Sequence, residues 1–346
     1  MARTLRRVAI GLVVLVSAGV FAGCCAFSQP AYHGPVSDHF DGTKFYDGTA
    51  RATAGMLIRW QTERVAPEWP QWIDAPPGEK PPARVDGDRM RVTFINHATV
   101  LIQAGGVNVL TDPIYSDRAS PLPFAGPKRV RAPGIRFEDL PHIDVVLLSH
   151  SHYDHLDLPT LERLAKEHAP VFLSGLGNDL LLKADGIAGA RGMDWWESTT
   201  VKGARITSVP NQHWCNRSLC DADGTLWSAF VIETSGGKAY FAGDTGYGKH
   251  FAQVRERFPG LRLAVLPIGA YKPEWFMQPM HESPSQALQA QRDLGAQTAV
   301  AMHFGTFPLA DDGVDEAPKE LERLNAAQSV KQDFWVLGFG EGREVP

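Results

Sequence analysis

The chain is poor in cysteine, has no long block of like charge and has no apolar stretch of membrane-spanning length. Four cysteines in 346 residues are too few for a disulfide scaffold, so a packed core must carry the fold. With 34 basic against 39 acidic side chains and a net charge of -5, the chain lacks the basic footprint of a nucleic-acid binder, and no nucleic-acid partner is expected. The apolar segment from Val8 to Ala22 falls short of the ~20 residues that a spanning helix needs. No short repeat interrupts this picture, and 44% apolar residues suffice for a real core in one large domain or two modest ones.

What is present begins with an export signal. Arg3, Arg6 and Arg7 precede the apolar segment, and small residues follow it, which is the grammar of a signal peptide over residues 1–23. Phe21-Ala22-Gly23-Cys24 resembles a bacterial lipobox in which Cys24 receives the lipid, with Phe21 where an aliphatic residue is usual. The expectation is an exported bacterial envelope protein, lipid-anchored and facing the periplasm; an ordinary secretory signal and an uncleaved anchor are the alternatives. Residues 24–36 read as a tether. Residues 37–88, with Trp60, Trp69, Trp72 and a proline-rich stretch, read as an extension packed on a main domain spanning 89–346. Cys24 and Cys25 belong to the processing site, which leaves Cys215 and Cys220 either to pair or to stay free.

Regular patterning starts at Arg91. Val92 to Ile95, Val100 to Gln103 and Val107 to Leu110 predict a meander, and Ile143 to Leu148 is an apolar run of strand length. Further strands are expected at Ala204 to Val209, Leu226 to Glu233, Ala239 to Ala242, Leu263 to Ile268, Thr298 to His303 and Phe334 to Leu337. Helices are expected from Leu158 to His168 behind an Asp157 N-cap, and from Pro284 to Leu294 between Ser283 and Gly295. Many strands with helices between and outside them indicate a layered α/β architecture.

The chemistry concentrates in His150-Ser151-His152-Tyr153-Asp154-His155, placed on a strand-to-helix turn. Imidazole nitrogen and carboxylate oxygen at this density ask for zinc or a similar borderline metal. His213, Asp244 and His303 recur after later strands; each alone is an ordinary structural or turn residue, but their order and placement join them to the cluster.

This pattern resembles the metallo-β-lactamase superfamily. Asn96-His97-Ala98-Thr99-Val100, Leu110-Thr111-Asp112-Pro113-Ile114, Asp194-Trp195-Trp196-Glu197, Gln212-His213-Trp214-Cys215 and Pro267-Ile268-Gly269-Ala270-Tyr271 are similar to its N-acylphosphatidylethanolamine-hydrolysing phospholipase D branch. The resemblance implies an α/β fold, the αββα sandwich of two facing β-sheets flanked by helices. It implies two divalent metal ions, expected to be Zn2+: His150, His152 and His213 on one, Asp154, His155 and His303 on the other, Asp244 bridging, and Asp112 orienting a ligand from behind. Two such ions against two carboxylates and a hydroxide leave a residual positive charge that suits a phosphodiester anion and also a lactone or lactam carrying a carboxylate. Asp154 and His281 are the catalytic candidates, His281 as proton donor to the leaving alkoxide or hydrogen-bond donor to the phosphate. Tyr271, Trp275, Phe276 and Met277 either receive acyl chains or belong to the core. The implied partner is a phospholipid at a membrane surface, and a homodimer is compatible with the reading. A lactonase or other carboxyl-ester hydrolase, and a non-catalytic metal- or lipid-binding lipoprotein, are the competing functions.

Overall fold

The computed structural model describes residues 25–346. Its elements in chain order are α1 (Ala54–Glu63), β1 (Met90–Asn96), β2 (Thr99–Ala104), β3 (Val107–Thr111), β4 (Val145–Leu148), α2 (Leu158–Glu167), β5 (Val171–Gly175), α3 (Asn178–Ala184), β6 (Ala190–Met193), β7 (Ser198–Val201), β8 (Ala204–Val209), β9 (Ala229–Thr234), β10 (Gly237–Phe241), α4 (His250–Arg257), β11 (Leu263–Pro267), α5 (Glu274–Met277), α6 (Pro284–Leu294), β12 (Thr298–Met302), α7 (Glu316–Ala326), β13 (Phe334–Trp335) and β14 (Gly342–Glu344).

The strands form two seven-stranded sheets, ordered β14-β1-β2-β3-β4-β5-β6 and β13-β12-β11-β10-β9-β8-β7. In each, a hairpin-connected antiparallel part gives way to a parallel part, β3 to β6 in the first and β10 to β13 in the second. Parallel neighbours need crossovers, and helices supply most of them. This is the α/β sandwich of two facing sheets flanked by helices.

The alternation of side chains on β4 shows how the layers bind. Val145 and Leu147 point into the core between the sheets, among Phe94, Val109, Phe230 and Val265. Val146 and Leu148 point outward to Leu161 and Leu164 of α2 and Leu182 of α3. A strand buried on both faces reads as a continuous apolar run, which holds for Val145 to Leu148; the run expected from Ile143 is broken by Asp144, and the strand begins just after it. On the other side, Leu288 and Leu294 of α6 and Phe251 of α4 join the same core as the second sheet.

Several expectations need correction. Asp157 stands at the N-cap of α2 but makes no capping bond; its carboxylate instead accepts from the Tyr115 and Ser116 amides and the Ser116 hydroxyl, so it fastens the loop after β3 to the metal-bearing turn. The expected strand at Leu226 begins only at Ala229, because Leu226 and Trp227 turn away to pack on Phe40 and Phe45. Residues 25–36 are not a free tether. Gln29 is buried with its amide on the Ser151 hydroxyl, and Tyr32 packs on Phe40. Cys25 is disulfide-bonded to Cys220, while Cys215 stays free and buried; docking of residues 25–32 brings the distant thiol to Cys220, while Cys215 turns inward to bond the Thr225 carbonyl. Cys24 and the signal segment lie outside the described residues. Among those described, no helix is long and apolar enough to cross a membrane.

Candidate metal centre

The nominated residues all leave the ends of strands. His150, His152, Asp154 and His155 follow β4, His213 follows β8, Asp244 follows β10, His303 follows β12, and Asp112 follows β3. Because the parallel strands of each sheet run the same way, these carboxyl-terminal ends collect at one edge of the sandwich. The backbone there is unusual. Asp112 and His303 have positive φ (31° and 63°), as does His97 (46°) in the turn between β1 and β2. Three such non-glycine residues around one site are strain concentrated where function is expected.

The side chains converge in overlapping groups whose ligand atoms lie within 4.8 Å of one another, chiefly His150, His152 and His213, and His97, Asp154, His155 and His303, with Asp112, His150 and His155, and His213, Asp244 and His281, linking to them. Asp244 lies between them. Its Oδ2 is 3.0 Å from His303 Nε2, 3.1 Å from His155 Nε2, 3.8 Å from His281 Nδ1 and 4.0 Å from His213 Nε2. In the first group, His150 Nε2 is 2.8 Å from His152 Nδ1.

The other ring nitrogens fix the orientation. His155 Nδ1 is 2.7 Å from Asp112 Oδ2, and Asp112 is itself held by the Ser149 amide and hydroxyl. His213 Nδ1 is 2.9 Å from the Met280 carbonyl oxygen. An imidazole that donates through Nδ1 presents the lone pair of Nε2. This predicts a set of inward-facing nitrogens, and the buried His155 Nε2, His303 Nε2 and Asp244 Oδ1 indeed have no hydrogen-bond partner. Buried polar atoms without partners are costly, and divalent ions would satisfy all of them together. The donor set of imidazoles and carboxylates therefore fits two ions of the zinc type.

Electrostatics support the same grouping. Burial raises the carboxyls of Asp154 and Asp244, but the imidazoles around them, His155 first, override it and hold both well below the usual carboxylate range. Burial pulls His303 down, and the Asp244 and Asp154 carboxylates lift it to about 9; His155 is likewise lifted well above its ordinary value against burial. His152, which feels burial most, falls to about 4. Without ions, the carboxylates keep protons on two imidazoles that would have to give them up to a metal.

His281 lies beside Asp244, mostly buried, its ring 5.2 Å from that of His213 and 5.5 Å from that of His303. Burial lowers it to about 4. The aromatic segment before it divides. Phe276 and Met277 are buried in a cluster with Ala270 and Ala310, against which Met56 and Trp60 of the extension pack, so for them the core reading is the one observed. Tyr271 and Trp275 line two separate clefts, of about 450 and 560 Å³.

Three supporting residues were not singled out in the sequence. His97 Nε2 is 2.9 Å from Asp154 Oδ2, and its carbonyl accepts from the His303 amide. Asp47 of the extension accepts from the His213 amide, and the Arg217 guanidinium donates to the Ser151 and Leu156 carbonyls. The signal for His97 was available: a histidine in a tight hairpin turn occupies a slot that ordinarily calls for glycine or asparagine.

Comparison with known proteins agrees with this geometry. Residues 107–304 match the family described as Beta-lactamase superfamily domain. The chain is 35% identical over 263 residues to the N-acyl-phosphatidylethanolamine-hydrolyzing phospholipase D 1 of Caenorhabditis elegans, covering 72% of this chain and 74% of that protein. It is 36% identical over 226 residues to the mitochondrial N-acyl-phosphatidylethanolamine-hydrolyzing phospholipase D of Saccharomyces cerevisiae, covering 63% of this chain but only 48% of the yeast protein. Among solved structures, a possible metal-dependent hydrolase from Veillonella parvula superposes with a TM-score of 0.61 at 16% identity, over 74% of this chain and 99% of that one, a likeness of fold.

Proposed function

The chain belongs to the metallo-β-lactamase superfamily as a metal-dependent hydrolase, and from that premise we propose that it is a two-zinc phosphodiesterase of phospholipase D type, cleaving N-acylphosphatidylethanolamine or a related phospholipid to phosphatidic acid and an N-acylethanolamine at the surface of a bacterial envelope membrane. The observation that carries the reading is the position of Asp244, whose Oδ2 lies within 4.0 Å of nitrogens from both ligand groups. A carboxylate so placed can serve two ions at once, and two relatives at 35% and 36% identity are named for hydrolysis of that lipid.

His150, His152 and His213 would hold one ion, Asp154, His155 and His303 the other, with Asp244 common to both. Two such ions activate water near neutral pH and stabilise the charge of the attacking and leaving oxygens. The protein does the positioning. Asp112 and the Met280 carbonyl fix imidazole tautomers, and His97 holds the Asp154 carboxylate, so the donors need no rearrangement when substrate arrives. His281 is neutral at physiological pH, and its N–H can donate to a phosphate or leaving-group oxygen without first taking up a proton. Attack by water at phosphorus breaks the bond to the ethanolamine oxygen, which leaves as the alcohol after protonation, while the water oxygen stays on phosphatidic acid.

Hydrolysis in 18O-labelled water tests this. The zinc-loaded protein should release phosphatidic acid carrying the label together with unlabelled N-acylethanolamine. Diacylglycerol would mean that the other phosphate ester bond breaks, and free fatty acid alone would move the protein to the carboxyl-ester hydrolases.

A further inference from the structure

Residues 25–29 are fastened to the loop over 215–223 at successive points. Cys25 is bonded to Cys220, Ser28 Oγ lies 2.7 Å from Ser218 Oγ, and the Gln29 amide donates to Asp221 at 2.8 Å. Beside this seam opens a cavity of about 760 Å³ whose walls include Pro121, Pro123, Leu158, Leu181 and Arg217. Phe27, 44% exposed, lines it; Phe124, next to the lining Pro123, is 76% exposed, and Leu219, two residues past the lining Arg217, is 78% exposed. Tyr153 and Leu156 also line the cavity, so one wall is the turn that carries His152 and Asp154. The Arg217 guanidinium packs 3.9 Å over the Tyr153 ring and ties the seam to that turn.

The sequence just before the seam is Cys24, preceded by the apolar segment from Val8 to Ala22. Whether an acyl group on Cys24 or the apolar segment itself enters a bilayer, the anchor emerges one residue from the disulfide. We infer that Phe27, Phe124 and Leu219 form the surface that this protein lays on a phospholipid bilayer, and that the Cys25–Cys220 disulfide fixes the orientation, holding the cavity and the metal-bearing turn against lipid. The inference rests on the membrane-surface reading above. A bilayer is a better occupant than a second copy of the chain for two reasons. The anchor sequence ends at this point, and isolated apolar tips around a groove suit insertion into the boundary between headgroups and acyl chains. The competing face is α1, whose Leu57 and Ile58 are 46% and 63% exposed.

Photo-crosslinking decides between the faces. The full-length chain, purified from membranes, is placed in phosphatidylethanolamine–phosphatidylglycerol vesicles doped with a photoactivatable phosphatidylethanolamine, and adducts are mapped by peptide mass spectrometry. Adducts should concentrate at residues 27–28, 121–124 and 216–221. Phe124→Asp with Leu219→Asp, both at the surface, should cut them about tenfold, and the Cys25→Ser, Cys220→Ser pair should scatter them over the surface while the protein stays bound, because a loose anchor no longer concentrates one face at the lipid. Adducts on α1, an unchanged map without the disulfide, crosslinks from chain to chain at these residues, or recovery of the full-length chain in the soluble fraction would each overturn the inference. No lipid hydrolysis is read, so the map stands or falls apart from the phospholipase reading.

Discussion

His155 and His213 are each held through Nδ1 and offer Nε2 to the centre, and that division of labour sets what single substitutions should do. His281 differs: its Nδ1 has no hydrogen-bond partner and lies 3.8 Å from Asp244 Oδ2, and it belongs to neither of the ligand sets assigned to the two ions. His281→Ala should therefore slow turnover roughly 10²–10⁴-fold while leaving ion content unchanged, measured by steady-state kinetics alongside metal analysis. Loss of an ion with the side chain would make His281 a ligand instead. His303 makes a different prediction. Lifted to about 9 by Asp244 and Asp154 against the effect of burial, it is protonated at neutral pH in ion-free protein, so metal binding must expel its proton. Zinc affinity should rise as pH approaches about 9, and calorimetry in buffers of differing ionisation enthalpy should show net proton release. Uptake without proton release would mean that His303 is not displaced by metal. The sign is the same for the ion-free fold. Its pKa is raised, so the stability contributed by this ion pair is complete below the ordinary value of 6.5 and is lost as pH rises through about 9. The dense cluster from His150 to His155 was legible because spacing alone brings its members together. His97 left only a local trace, its place in a tight turn; that it serves Asp154, 57 positions away, shows only once the chain is folded.

At the scale of elements, the site is precise because strand ends approach each other more closely than side chains would allow. A Cβ built on Gly269, just past β11, would lie 2.0 Å from the His303 carbonyl oxygen, and one on Gly243, at the end of β10, would lie 2.4 Å from Ser149 Cβ, with φ +61° besides. These two glycines let β10, β11 and β12 and the turn after β4 converge. Gly269→Ala should displace the His303 backbone, lowering zinc affinity by about tenfold or more and reducing thermal stability; an alanine variant with wild-type affinity in a chelator competition would contradict this. Strong periodicity made the long elements readable, as with α6, whose Ser283 and Gln286 form a capping box and whose Gly295 ends it at φ 64°. The short strands β6 and β7, Ala-Arg-Gly-Met and Ser-Thr-Thr-Val, escaped notice because four residues with one or two apolar side chains carry little signal, and their pairing in a sheet, rather than their own propensity, makes them strands.

At the scale of the molecule, two sheets of like construction face each other, and the two proposed ions would sit where their carboxyl ends meet, His150 to His155 from the first and His213, Asp244 and His303 from the second. The segments before the main domain add to this assembly more than the sequence foretold: Gln29 touches the Ser151 hydroxyl and Asp47 of the extension the His213 amide, contacts that no local pattern announces because both partners are distant in sequence. Native mass spectrometry of the zinc-loaded protein and of Asp244→Ala bears most directly on the claim that one carboxylate joins two metal positions. The account predicts two ions per chain in the wild-type protein and loss of more than one on average in the variant; a single ion that survives Asp244→Ala would contradict it.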